Sequence, residues 1–173
     1  MRLDKLGAMT CFLVILLCGT PGGLGHPLQK ERPSELRAKM SNEERTALSR
    51  QETNNDKIKT YLRFAEQRLR SARVLVDKDE HAEAGKEVVG YATLIADAGI
   101  FTRASVPKRD KAHKTLETAL REQYRVLEGL KRDIGVSQVA VMEEALRIVV
   151  KVRRQSLNLF LGEDKVLSES EKP

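Results

Sequence analysis

The sequence predicts an all-α fold: an antiparallel up-down four-helix bundle made of two helical hairpins, with a weak extra N-terminal helix before it. Apolar residues recur at steps of 3 and 4 through four long stretches, the spacing of one face of a helix. No alternating run and no Asn-Gly turn signals a strand. Short polar breaks separate the stretches, so consecutive helices are expected to be antiparallel neighbours. A solenoid-like stack of two hairpins is the rival arrangement; its helices would use one face each rather than meet in a common core.

The extra helix has the weakest apolar pattern of the elements. Residues 34–52 are helix-permissive but hold few large apolar groups, namely Leu36, Met40 and Leu48. Ser41 with Glu44 three residues later has the spacing of a capping box. The domain proper is expected to begin near residue 55, with Asn55 or Asp56 as a cap. Its first helix carries Ile58, Leu62, Ala65, Leu69, Ala72 and Val76, and Asp77-Lys78-Asp79 breaks the rhythm.

The second helix, from about Glu80 to Arg103, has the inward seam Gly85, Val88, Ala92, Ile95, Gly99. Pro107 suits the first turn of the third, where its missing N–H is no loss. The third helix is expected to bury Ala112, Leu116, Ala119, Gln123, Val126 and Leu130, with Leu120, Leu127 and Ile134 flanking, and to stop at Gly135. Ser137 then reads as an N-cap, with Val136 and Val141 as a hydrophobic staple. The fourth helix runs through Met142, Leu146, Val149, Val152 and Phe160 to a stop at Gly162. A shift of 54 residues lays Asp56-Lys57, Leu62 and Ala65 on Asp110-Lys111, Leu116 and Ala119, as two similar hairpins would.

The stretch EVVGYATLIADAGIF, residues 87 to 101, holds one internal charge, Asp97. It is too short between charges to span a membrane, which takes about 20 apolar residues. A helix that is apolar all round is otherwise enclosed on several sides. Gly85, Gly90 and Gly99 each disfavour a helix interior by about 1 kcal/mol relative to alanine, and close approach of a neighbouring helix would offset that. Tyr91, Leu94 and Phe101 lie off the seam and need cover of their own.

The chain opens with Arg2 and Lys5, an apolar run from Ala8 to Cys18, and a Gly/Pro-rich segment ending in Gly23-Leu24-Gly25. That is the layout of a secretory leader, so residues 1–25 are read as a signal peptide and the protein as exported, to a bacterial periplasm or secreted. Lipid anchorage through Cys18 is the minor alternative; Leu17 stands where a small residue is usual. Residues 26–54 then form a flexible or weakly helical lead-in, 55–162 the four-helix domain, and 163–173 a polar tail read as disordered.

Cys11 and Cys18 both lie in the leader, so the remainder would be held by its apolar core and not by disulfides. Losing Arg2, Lys5 and Asp4 takes 31 basic and 25 acidic groups to 29 and 24, and the net charge from +6 to +5. The charges are interspersed and there is no Trp, so a nucleic-acid partner is not expected.

Catalytic and cofactor signals are weak. There is no G-x-S-x-G elbow, no phosphate-cradling loop, and no cysteine beyond the leader for nucleophilic work. Asp110-x-x-His113 has metal-ligand spacing, but a di-metal bundle needs a second such pair and two more carboxylates; His113 is read as a surface residue. Asp79-Glu80-His81 with Glu83 and Glu87 is an acidic cluster; Glu80, Glu83 and Glu87 suit the start of a helix, whose dipole favours negative charge, and no calcium-loop pattern accompanies them. No cofactor or metal is expected.

The reading is therefore a non-enzymatic interaction or scaffold protein, with an unknown protein partner or self-association. Gly85, Tyr91, Ala92, Leu94, Gly99 and Phe101 are its candidate partner or ligand surface. The alternative is a carrier that holds a small apolar ligand between helices, against Gly85, Ala92 and Gly99. A basic stripe of Lys59, Arg63, Arg70 and Arg73 is a candidate contact for an anionic envelope polymer, or else pairs internally, with Arg70 and Arg73 facing Glu83 and Glu87.

Intact-mass measurement of the protein recovered from outside the expressing cytoplasm is expected to give a chain starting at His26. A functional form that still carries Met1 to Gly25 would overturn the export reading.

Overall fold

The computed structural model describes residues 40–162; the expected leader, the first part of the lead-in and the tail lie outside the described residues. Among the described residues there are five α-helices and no strand: α1 (Asn42–Ser49), α2 (Asn54–Val76), α3 (His81–Ser105), α4 (Lys111–Asp133) and α5 (Val139–Leu161), with a short 3-10 turn at Val136–Gln138. The expected all-α bundle is what the chain forms.

Local chemistry sets most of the helix ends. The capping box at α1 is complete: the Glu44 N–H donates to Ser41 Oγ, and the Ser41 N–H to Glu44 Oε2 at 2.7 Å. Helix α2 is capped two or three residues earlier than expected, by Thr53, whose hydroxyl oxygen accepts the Asp56 N–H and donates to the Asp56 carboxylate. Asn55, freed from capping, is buried and accepts a hydrogen bond from Thr115 of α4. Gly162 closes α5 at φ 75°, a left-handed position that glycine adopts without strain.

Two other ends differ from the expectation. Pro107 lies outside α4, whose N-cap is Asp110; the proline carbonyl is used instead, as a partner for His113 Nε2 at 3.0 Å. Gly135 does not turn left-handed after α4, since Ile134 and Gly135 are both extended. Its missing side chain makes room for the His81 ring, 3.0 Å from where a Cβ would stand. Ser137 sits inside the 3-10 turn and Gln138 precedes α5. The Val136–Val141 staple does not form, because Val136 is 90% exposed.

The long helices close a ring of neighbours: α2 on α3, α3 on α5, α5 on α4, and α4 on α2. Arg68–Glu87 and Tyr61–Phe101 show α2 and α3 to be antiparallel, as Glu117–Arg153 and Lys131–Glu143 do for α4 and α5. Asn55–Thr115 and Arg73–Asp133 join α2 and α4 start to start and end to end, so these two are parallel. Gly85 against Gln138 and Gly99 against Val152 make α3 and α5 parallel too.

Thus α3 and α4, consecutive in the chain, are diagonal in the bundle rather than adjacent. The link between them passes the end of α5, where the Arg109 N–H donates to the Leu159 carbonyl. The two hairpins lie side by side as in a stack. They nonetheless share one interior, since Tyr91 of α3 donates across it to Gln123 of α4 at 3.1 Å.

Seams and faces follow. All six predicted apolar positions of α2 are buried, as are Met142, Leu146, Val149 and Val152 of α5. The α4 seam is turned by one position. Leu116, Leu120, Gln123, Leu127 and Leu130 face inward, while Val126 is 52% exposed and Ala119 half-buried. Helix α3 is enclosed on most sides, with Val88, Tyr91, Leu94, Ile95 and Ala98 all buried. Burying each of the larger of these stabilises the fold by about 1.5–3 kcal/mol.

The α3 glycines divide into two kinds. A Cβ at Gly99 would stand 2.8 and 3.0 Å from the two γ-carbons of Val152, a β-branched side chain with little freedom to rotate. A Cβ at Gly85 would meet only the far end of the flexible Gln138 side chain.

Gly99→Ala is therefore expected to destabilise the protein by on the order of 1 kcal/mol, the overpacking cost exceeding the gain in helix propensity. Gly85→Ala is expected to be neutral or stabilising by up to about 1 kcal/mol. Urea unfolding midpoints should rank Gly85→Ala at or above the parent and Gly99→Ala below it. The reverse order would show that α3 and α5 are not in close approach.

Candidate functional site

A half-open groove of about 540 Å³ lies between the parallel helices α3 and α5. Its walls form because α3 and α5 are drawn together at Gly99 and Val152, while small side chains along α3 leave the space beside them open. Ala92, Ala96 and Gly99 form one side and Val141, Ala145 and Ile148 the other. Thr93 and Gln155 add neutral polar groups, and Glu144, Arg147, Lys151 and Arg103 form the rim. A mostly apolar lining with a few polar groups, at this volume, is typical of a small-molecule site.

The rim is not evenly charged. Glu144 is held by Arg147, which donates to it through Nε at 2.8 Å and again through an Nη. Arg103 and Lys151 are exposed and make no ion pair with any described residue. The parallel register places both toward the end of the groove where α3 terminates.

Of the six residues expected to form a partner or ligand surface, Ala92 and Gly99 line this groove. Gly85 is buried beside Gln138. Tyr91 and Leu94 are core residues, fully or almost fully buried, and neither offers a surface. Tyr91 reaches the interior because its ring fills the space between diagonal helices; burial pushes its hydroxyl pKa far up, and the Gln123 oxygen accepts its proton. Phe101 is half-buried on another side of α3, near the Tyr61 ring and under the Lys57 ammonium at 5.1 Å.

The basic stripe on α2 is largely neutralised. Lys59 pairs with Asp56, Arg70 with Glu66, and Arg73 with Asp77 and Asp133, while the Arg63 guanidinium lies over the Phe64 ring at 5.0 Å. Arg70 and Arg73 thus do not face Glu83 and Glu87. Glu83 pairs with Lys86 on its own helix, and Glu87 receives Arg68.

Arg68 was not legible as special in the sequence, yet it ties three helices. Its guanidinium reaches the buried Glu44 of α1 at 3.1 Å and Glu87 of α3 at 3.3 Å. Burial would lower its pKa, but the two carboxylates outweigh that and raise it. A second, polar pocket of about 270 Å³ lies over this triad. Glu43, Glu44 and Glu87 line it with the single cation Arg68, which Glu44 and Glu87 already engage.

His113 is completely buried rather than on the surface. Since a carbonyl can only accept, its contact with Pro107 makes Nε2 the protonated nitrogen, and Nδ1 has no partner among the described residues. Among the described residues no group of three or more His, Cys, Asp or Glu is placed to hold a metal ion.

The apolar α5 wall escaped the sequence reading although a signal was present. Val141, Ala145, Ile148 and Val152 recur at steps of 4, 3 and 4, a second edge beside the Met142 seam.

The buried acid Glu117 joins α4 to α5 and is the clearest source of pH dependence. Burial pushes its carboxyl pKa up, but hydrogen bonds and charge from Arg121 and Arg153 more than reverse this, leaving it below its ordinary 4.5. A group depressed in the folded state contributes stability above its unfolded pKa and loses it as pH falls through the folded value. The parent is thus expected to be more stable than Glu117→Gln at pH 7 by about 1–3 kcal/mol. The gap should shrink below about pH 4.5. Urea midpoints at pH 7 and pH 3 check it, and an unchanged gap would overturn the assignment.

No protein-family model, curated protein or solved structure matches this chain.

Proposed function

We propose that this chain is an exported, non-enzymatic binding protein that carries a small apolar ligand in the groove between α3 and α5. The observation that carries the reading is the groove itself: about 540 Å³, lined by Ala92 and Gly99 on one side and an apolar edge of α5 on the other. The leader-like opening segment supports export, to a periplasm or the extracellular space.

The broader reading as an interaction or scaffold module keeps the same surface, with a partner's apolar side chains as occupant. It is weakened because Tyr91 and Leu94, two of its large anchors, are in the core. Such anchors carry most of the energy of a protein interface. Adhesion to an anionic polymer through α2 is weakened likewise by the ion pairs of Lys59, Arg70 and Arg73.

A neutral fluorescent probe, N-phenyl-1-naphthylamine, is expected to brighten on binding the purified protein. Ile148→Lys, a half-buried groove position, should weaken that binding at least tenfold. Val126→Lys, exposed on α4, should leave it unchanged. Absence of binding, or equal effects of the two substitutions, would overturn the carrier reading.

A further inference from the structure

We infer that the groove selects a single-chain anionic amphiphile, an acyl or alkyl chain ending in a carboxylate or phosphate. This inference rests on the carrier reading and adds the chemical class and orientation of the ligand.

The apolar part of the groove extends from Val89 of α3 and Val141 of α5 toward Ile100 and Val152. From Val89 to Arg103 is fourteen helical steps, about 21 Å. This shape suits an extended chain better than a compact ring system. The four apolar α5 positions, Val141, Ala145, Ile148 and Val152, line one edge of that length, with Glu144 and Lys151 beside them at the rim.

The charge lies at one end. Glu144, the acid on the rim, is already engaged by Arg147, so that pair contributes little net field. Arg103 and Lys151 remain, exposed and without an ion-pair partner among the described residues. Two cations flanking the mouth of an apolar trough favour an anionic head and leave a cationic one repelled. Arg103 offers a planar fork and Lys151 a mobile point charge, so a carboxylate or a phosphate can be met by both. The chain then lies from Gly99 toward Val89, with the head between Arg103 and Lys151.

Arg103 has a competing use, since a cation in the last turn of α3 also complements the helix dipole. A purely structural role of that kind would alter unfolding and leave ligand selection untouched.

The test displaces the neutral probe from the purified protein with dodecanoate, dodecyl phosphate and dodecanol, at a pH where both acids are ionised. At least one of the two anions is expected to bind about tenfold or more tighter than the alcohol. In Arg103→Gln/Lys151→Gln that preference, read as the ratio of anion to dodecanol affinity, should vanish. Equal affinity for anions and alcohol in the parent, or a preference that survives the double substitution, would overturn the inference while leaving the carrier reading intact. Failure of the neutral probe and all three ligands to bind would overturn both. Unfolding midpoints of the double variant, measured alongside, separate lost selection from lost stability.

Discussion

Helix α3 is too apolar to tolerate water on most of its circumference, and enclosing it is the constraint on which the rest of the structure depends. Its residues from Ala84 to Thr102 are buried on several sides, which one neighbouring helix cannot achieve. Helix α2 covers one flank and α5 another, and Tyr91 projects into the interior as far as α4. The ring order α2-α3-α5-α4 follows, with α3 and α4 diagonal. A strict chain-order ring would place α4 beside α3 and move α5 away from Gly99.

Polar contacts fix this arrangement more than they drive it. Arg68 joins α1, α2 and α3 through Glu44 and Glu87, and Glu117 joins α4 to α5 through Arg153. Each is a partly or wholly buried charge that must keep its partner, because an isolated one is costly to bury. Apolar burial could be satisfied by several rotations of each helix; these pairs are satisfied by one. The link at residues 106–110 adds a third fixed point, through Arg109 on the Leu159 carbonyl and His113 on the Pro107 carbonyl.

The groove is a consequence of the same constraint. Drawing α3 and α5 together at Gly99 and Val152 leaves a trough beside the contact, where Ala92 and Ala96 have too little volume to fill the space that Val141, Ala145 and Ile148 line. Small residues on one wall and branched or small apolar residues on the other keep it open, and no described residue closes it from above. The feature that looked like a packing device in the sequence, a Gly/Ala seam, therefore does both things at different points along one helix. At Gly99 it packs, and at Ala92 and Ala96 it leaves room.

The sequence by itself determined the helical class, the extent of four long helices to within a few residues, the buried faces of α2 and α5, the α1 capping box and the Gly162 stop. These are properties of neighbours three or four residues apart, where side-chain type and periodicity act directly on local structure. Only the tertiary structure decided the neighbour order, the rotation of α4 that exposes Val126, the burial of Tyr91, Leu94 and His113, and the partners of Arg68, Arg73 and Glu117. It alone placed Ala92 and Gly99 opposite Val141 and Ile148. Those outcomes depend on which helices meet and at what register, and a helix with apolar residues on every side does not encode from its own sequence which flank each neighbour will take.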